Sequence, residues 1–213
     1  MPRSTYAACP LSPWLAGTCM EAGKTAAASA IIARMRHRGL IVDAFKATGV
    51  SLRRDILAFE DSGARRTLIF TDFGIVTTTE KCGPALTRSM LTEMAAGQPD
   101  VIVFELGDGL LGTYGVQSIL SEADIKAVLS AVVLSANDPV AAWGGIKLLR
   151  DRFGVEPAVV TGPATDNQVG IDLIRDQLKV EAFNAISNPA DLGDFLIAKL
   201  GLRNVAESKV VGA

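Results

Sequence analysis

The chain has a single histidine, His37, and only three cysteines, Cys9, Cys19 and Cys82. One histidine excludes any metal site or mechanism that needs two. Three thiols with no C-x-x-C pair form no disulfide framework and read as reduced thiols of a cytoplasmic protein. Two tyrosines and two tryptophans leave few aromatic anchors, whereas twenty glycines point to many tight turns. Neither charge dominates: 21 Lys and Arg stand against 23 Asp and Glu, a net charge of −2. No global field therefore draws the chain to nucleic acid or to an anionic membrane. Apolar runs are about four to eight residues long, far from the roughly 18 that cross a bilayer. Met1–Pro10 carries one basic residue and no apolar stretch, so it is not a secretory signal. His37 lies among Arg34, Arg36 and Arg38 near a helix end and reads as a solvated surface residue.

What is present is an apolar chain, 49% hydrophobic over 213 residues, which excludes intrinsic disorder and suits one layered domain. Short β-branched runs alternate with longer helical patterns. Strands are expected at Leu40–Phe45, Arg66–Thr71, Asp100–Leu106, Ala131–Ser135, Ala158–Thr161 and Val180–Asn184. Helices are expected at Lys24–Arg38, Leu52–Asp61, Pro84–Ala96, Glu122–Leu129, Pro139–Phe153, Thr165–Leu178 and Pro189–Leu200. Pro139 and Pro189 sit where helices begin, Gly39 and Gly154 where they end. Strands that are apolar throughout need cover on both faces, so the fold class is α/β, a doubly wound parallel sheet between helical layers. Residues just beyond the carboxyl ends of its strands then carry function. The domain is read as 1–202, with an irregular stretch 1–13 and a tail 203–213. Pro10 and Pro13 argue against a central strand before the first glycine. Either that strand is only about three residues long, or the N-terminus is the trimmed end of a longer protein with a missing N-terminal domain, the alternative favoured here.

Residues 17–25 read Gly17-Thr18-Cys19-Met20-Glu21-Ala22-Gly23-Lys24-Thr25 and precede an alanine-rich helix that begins with Ala26. This is the pattern of a phosphate-binding loop. Backbone N–H groups turn inward around an anion, and the helix N-terminus adds partial positive charge. Lys24 would reach the β- and γ-phosphates, and Thr25 would offer its hydroxyl to Mg²⁺. Thr18 takes the usual first-glycine position, with five residues between Gly17 and Gly23. The alternative is an ordinary glycine turn capping an amphipathic helix; the strand–loop–helix context favours the nucleotide, with Thr18 through Ala26 as its binding residues.

The wording G-T-x-x-E-x-G-K-T resembles the loop of the dethiobiotin synthetase family, ATP-dependent enzymes that close a ureido ring from a diamine and CO₂. Phe45-Lys46-Ala47-Thr48-Gly49, Arg53-Arg54-Asp55 and Val103-Phe104-Glu105-Leu106-Gly107-Asp108-Gly109 follow in the family's order. The resemblance covers roughly residues 14–115 by motif and the remainder by topology alone. It implies ATP and Mg²⁺ as cofactors, a small-molecule substrate, and a homodimer completing the crevice. Octahedral Mg²⁺ takes one or two carboxylates plus phosphate oxygens, and Thr25, Asp55 and Glu105 supply such a set. Asp72, also at a strand end, competes with Asp55, and Asp108 is a candidate for the outer shell. Glu105 alternatively caps a helix or lies on the surface. Lys46, with Lys24 the candidate catalytic pair, would neutralise charge on the transferring phosphoryl group; otherwise it is a surface lysine.

Departures from the family fall on the substrate side. Met20 replaces a threonine that touches the carbamate, Cys19 replaces an acid, and Ala47 replaces a proline. Glu21 suits a backbone or substrate-amine contact, and Cys19 either a redox-sensitive thiol or a small filler. Asn137-Asp138-Pro139 reads as a helix start. Asn167 is the candidate counterpart of the family's adenine-contacting asparagine. The expected function is ATP- and Mg²⁺-dependent activation of a carboxylate or carbamate for attack by nitrogen. The alternatives are a regulatory or assembly nucleotide-binding module and a small-molecule kinase, the latter without an arginine-rich lid segment.

Overall fold

The computed structural model describes residues 10–202; the expected tail 203–213 and the first nine residues lie outside them. Seven strands form one parallel sheet: β1 (Ser12–Gly17), β2 (Val42–Lys46), β3 (Arg66–Ile69), β4 (Val101–Glu105), β5 (Leu129–Ser135), β6 (Val159–Thr161) and β7 (Glu181–Ala182). Their order is β3-β2-β4-β1-β5-β6-β7, which makes the proline-bearing β1 central. The α/β class expected from the two-sided apolar strands is what the chain adopts. The α-helices are α1 (Lys24–His37), α2 (Arg53–Asp61), α3 (Gly83–Ala96), α4 (Val116–Ser121), α5 (Ala123–Lys126), α6 (Pro139–Leu148), α7 (Gln168–Leu173) and α8 (Pro189–Lys199).

Alternation along each strand sends neighbouring side chains to opposite faces, and both faces are apolar. Leu15, Val42, Ala44, Val101 and Val103 pack under Ala27, Ile31 and Met35 of α1 and Leu192 and Leu196 of α8. Trp14, Phe45, Ile102 and Phe104 belong to the opposite core with Met90 and Leu91 of α3. There Phe104 stacks on Phe45 at 4.8 Å and tilts against Trp14 at 4.4 Å between ring centroids.

Two features let a proline occupy the central strand. On the β4 side, Leu11 bridges Val101 and the ladder resumes at Trp14 opposite Phe104 in the same register. Pro13 falls in that interruption, where its missing N–H costs one ladder bond. On the β5 side the register shifts between Ser12 and Pro13, and the Ser12 N–H donates to Ser130 Oγ at 2.9 Å. The strand is six residues long, not about three.

Other boundaries also move. The helix expected at Glu122–Leu129 is only the four-residue α5; an extended Glu122 parts it from α4, a helix the sequence reading did not expect, and β5 starts at Leu129. β3 stops at Ile69 because Phe70–Phe73 turns into a 3₁₀ helix, with Asp72 accepting from the Ile69 N–H at 2.9 Å. α6 and α7 each end in a wider π turn, at Leu149–Phe153 and Ile174–Leu178. Gly154 terminates the first in a left-handed conformation, as expected. No helix among the described residues is long and apolar enough to cross a membrane.

Because Phe104 is fully buried between two aromatic rings, Phe104→Ala is expected to cost about 3–5 kcal/mol of unfolding free energy, measured by urea denaturation.

Candidate functional site

β1 ends at Gly17, the loop Thr18–Gly23 follows, and α1 begins at Lys24. Gly23 adopts φ 94°, the left-handed region in which glycine is unstrained, and so turns the chain into the helix. Gly17 serves the loop in another way. The Lys24 side chain passes directly over it, so that a Cβ there would lie 2.8 Å from Nζ. The loop is tied to the sheet by the Thr18 N–H, which donates to Ser135 O at 2.9 Å.

The sheet then brings distant residues to this loop. Lys46 of β2 and Glu105 of β4 are register partners at their strand ends. Both share the parity of Ala44 and Val103, so they project toward α1. Glu105 is 2% exposed, Lys46 6%, Lys24 5% and Asp55 8%. The Thr25 hydroxyl donates to Glu105 Oε2 at 2.9 Å. Lys24 Nζ donates to Cys19 O at 2.8 Å, and Lys46 Nζ makes a buried ion pair with Asp55. Burial pushes the Glu105 carboxyl above the usual carboxylate range, with Lys46 and then Lys24 opposing that shift. Burial likewise lowers Lys24, and Glu105 opposes it most.

These groups line a cleft of about 450 Å³. Met20, Glu21, Gly23, Lys24, Thr25 and Ala26 form one wall. Lys46 of β2, Asp55 of α2 and Glu105 of β4 reach it from three further elements, and Asp108 from the loop after β4. Thr18, Cys19 and Ala22 belong to the same loop without lining the cleft. Asp72 does not line it either; it caps the turn after β3 and faces a separate depression beside Arg53 and Thr67. Asp138 N-caps α6 through the Ala141 N–H at 2.8 Å, as its Asx-Pro context implies. Asn167 similarly caps α7 through the Gly170 N–H at 2.9 Å. Asn137 Nδ2 contacts Cys19 Sγ at 3.2 Å, placing that thiol against α6's approach.

The far wall contains Gly49, Arg54 and Gly107, which the motifs include without a role of their own, and Val50, Leu52, Ala58 and Tyr114, which sequence reasoning gave no part in the site. Two buried threonines assemble it. The Thr48 hydroxyl donates to Gly107 O at 2.8 Å. The Thr78 hydroxyl accepts from the Gly49 N–H at 2.9 Å and donates to Tyr114 O at 2.7 Å. The only sequence signal was the run Thr77-Thr78-Thr79, which looks like an ordinary polar loop.

The donor set fits a nucleotide with its metal. A magnesium ion held by phosphates needs few protein oxygens, and Thr25 beside Glu105 supplies a hydroxyl and a carboxylate that already touch. Asp55 is the less direct candidate, since Lys46 holds it. Among the described residues no three or more His, Cys, Asp and Glu side chains form a cage for a metal alone.

No protein-family model and no curated protein sequence matches the chain. Solved structures do. The signal recognition particle receptor FtsY from Elizabethkingia anophelis in complex with GDP superposes with a TM-score of 0.62 at 16% identity, over 91% of this chain and 65% of that one. Chloroplast FtsY from Physcomitrella patens gives 0.56 at 15% identity, over 90% and 65%. A DUF1611 family protein from Anabaena variabilis gives 0.61 at 13% identity, over 92% and 58%. The chain thus spans less than two thirds of the length of each of these proteins. It shares their fold, a parallel sheet between helical layers. None of the three is a dethiobiotin synthetase, so that narrower resemblance rests on the motifs alone.

Ionising Glu105 costs the nucleotide-free protein stability as pH rises through its raised range, because the unfolded chain ionises more readily. Glu105→Gln is therefore expected to gain melting temperature on the wild type between pH 4 and pH 8, by a few degrees, in thermal scans without nucleotide.

Proposed function

We propose that this chain is a nucleoside-triphosphate- and Mg²⁺-dependent enzyme, with ATP the expected nucleotide. Its reaction would transfer the γ-phosphoryl group to a carboxylate or carbamate, which a nitrogen then attacks. The observation that carries the reading is Lys46, a second buried lysine that shares the cleft with Lys24 and stands beside Glu105. Lys24 and the loop amides suit the β- and γ-phosphates. Lys46 stands on the acceptor side, where a cation stabilises charge developing on the transferring group and on an anionic acceptor. Thr25 and Glu105 would hold Mg²⁺, with Asp55 joining them once released by Lys46. The bound ion would neutralise phosphate charge. Beyond Lys46, the cleft continues to Val50, Leu52 and Tyr114, which leaves room for a small acceptor. A homodimer is supported by Met20, Leu111, Val140 and Trp143, all more than half exposed on loops or a helix start at the strand ends.

A second reading is a regulatory or assembly NTPase module. It is favoured by the fold shared with an FtsY that carries GDP and by Cys19 and Met20, which replace the resemblance's substrate-contacting residues. Guanine is then the competing base.

Calorimetry with ATP and with GTP, each with Mg²⁺, is expected to show binding, tighter for ATP. Phosphate release stimulated by bicarbonate plus a diamine supports the ligase reading; slow release indifferent to both supports the module. Lys46→Ala is expected to keep nucleotide affinity while lowering acceptor-dependent turnover by about 10²–10³-fold. Unchanged turnover in that variant would refute the role given to Lys46.

A further inference from the structure

Among the buried hydroxyls described, those of Ser12, Thr48 and Thr165 each bind one backbone carbonyl. Thr78 does more. It is 1% exposed and sits in the loop between β3 and α3, behind the cleft wall rather than on it. Its hydroxyl joins the backbones of two other segments: it accepts from the Gly49 N–H, 29 residues earlier, and donates to Tyr114 O, 36 residues later.

The segment that Thr78 holds is the one that holds Lys46. The Thr78 N–H donates to Gly49 O at 3.3 Å, and Val50 bridges Thr77 in antiparallel register, so the Gly49–Val50 stretch is tied by both its donor and its acceptor. Lys46 Nζ donates to Val50 O at 3.3 Å besides its ion pair with Asp55. Its stem runs between two glycine backbones. A Cβ on Gly107 would lie 2.9 Å from Lys46 Cε, and one on Gly49 3.6 Å from it. Deleting the Thr78 hydroxyl would leave the Gly49 N–H without its acceptor in the interior and Tyr114 O without its donor. The loops after β2 and β4 would then be free to move apart.

We infer that Thr78 is a positioning residue for Lys46: its hydroxyl fixes the Val50 carbonyl that aims the ammonium, and fixes Tyr114 on the same wall. The inference rests on the role proposed above for Lys46. When Lys46 gives up Asp55 for the transferring phosphoryl group, Val50 O is the internal acceptor it keeps, so the place of that carbonyl sets where the charge stands. Thr78 itself touches neither nucleotide nor acceptor. The phosphate loop is held by other contacts, the Thr18 N–H on Ser135 O and Lys24 on Cys19 O, so its grip on a nucleotide does not depend on Thr78.

The test compares Thr78→Val, which keeps the shape and loses the hydroxyl, with Thr78→Ser, which keeps the hydroxyl, and with Lys46→Ala. Phosphate release from Mg²⁺-ATP is measured with bicarbonate and a diamine present, ATP affinity by calorimetry, and amide hydrogen exchange on the nucleotide-free proteins. Thr78→Val is expected to bind ATP as tightly as the wild type and to turn over about 10- to 100-fold more slowly. Its residues 47–51 should exchange faster while residues 17–25 keep their rates. Thr78→Ser is expected to restore both turnover and exchange. Wild-type turnover or unchanged exchange at 47–51 in Thr78→Val overturns the inference, as does a Thr78→Ser without recovery, because the methyl group would then be what matters. A Thr78→Val that loses ATP affinity in step with turnover, or does not fold, overturns it too, since the residue would be merely structural. Wild-type turnover in Lys46→Ala, or a wild type that releases no phosphate, removes the reading of Lys46 itself and the inference with it.

Discussion

The parallel register of β2, β4 and β1 is the constraint on which the site depends. Lys46 stands opposite Glu105, and Glu105 opposite Leu15, so two charged residues from distant segments reach the loop at the same height. One residue earlier, Phe45, Phe104 and Trp14 occupy the same row of the sheet. Their rings fill the core on the opposite face. A slip by one residue would bury Lys46 and Glu105 among those aromatics and turn the rings toward α1. The apolar stack therefore sets the position of the charges, and stability and site geometry derive from one pairing.

Burial is what gives those charges chemical force. Lys24, Lys46, Asp55 and Glu105 are all less than a tenth exposed, and an isolated charge in such a place is strongly disfavoured. They persist as a set because each faces an opposite charge: Lys46 against Asp55, and Glu105 between the two lysines. The balance is incomplete, since burial still raises Glu105 and lowers Lys24. A polyphosphate with its metal ion supplies both missing signs, negative charge for the lysines and positive charge for the carboxylate. The same groups that burial disfavours are those that the proposed ligand would relieve.

The fold was legible because apolar strands without alternation have one solution, cover on both faces. The strand–loop–helix turn at Gly17–Thr25 was legible because Gly23-Lys24-Thr25 follows a strand and opens a helix, and Lys46 and Glu105 because charged residues ending apolar strands point at the crevice. Pro13 misled, since propensity is local and the bulge and interrupted ladder that accommodate it are tertiary. Asp55 against Asp72 was undecidable from order along the chain: both follow strands, but β3 is the sheet edge and its 3₁₀ turn carries Asp72 away. The part that Thr48 and Thr78 play in the far wall was invisible, because their hydroxyls act on carbonyls and amides far away in sequence.

Within the cleft each of these polar groups has an internal partner. Lys24 Nζ binds the carbonyl of Cys19, Thr25 binds Glu105, and Lys46 binds Asp55. On the proposed reading, an arriving triphosphate would exchange these for its own oxygens and its metal. Binding energy is thus the difference between two satisfied states, not the sum of new contacts. The exchange also orders events. The Thr25 hydroxyl can keep donating to Glu105 while its lone pairs face the proposed Mg²⁺. Asp55, by contrast, would join that ion only once Lys46 turns to the phosphoryl group. Freed from Asp55, Lys46 becomes available as the metal gains its second carboxylate, so the catalytic cation and the metal shell would be completed in one rearrangement.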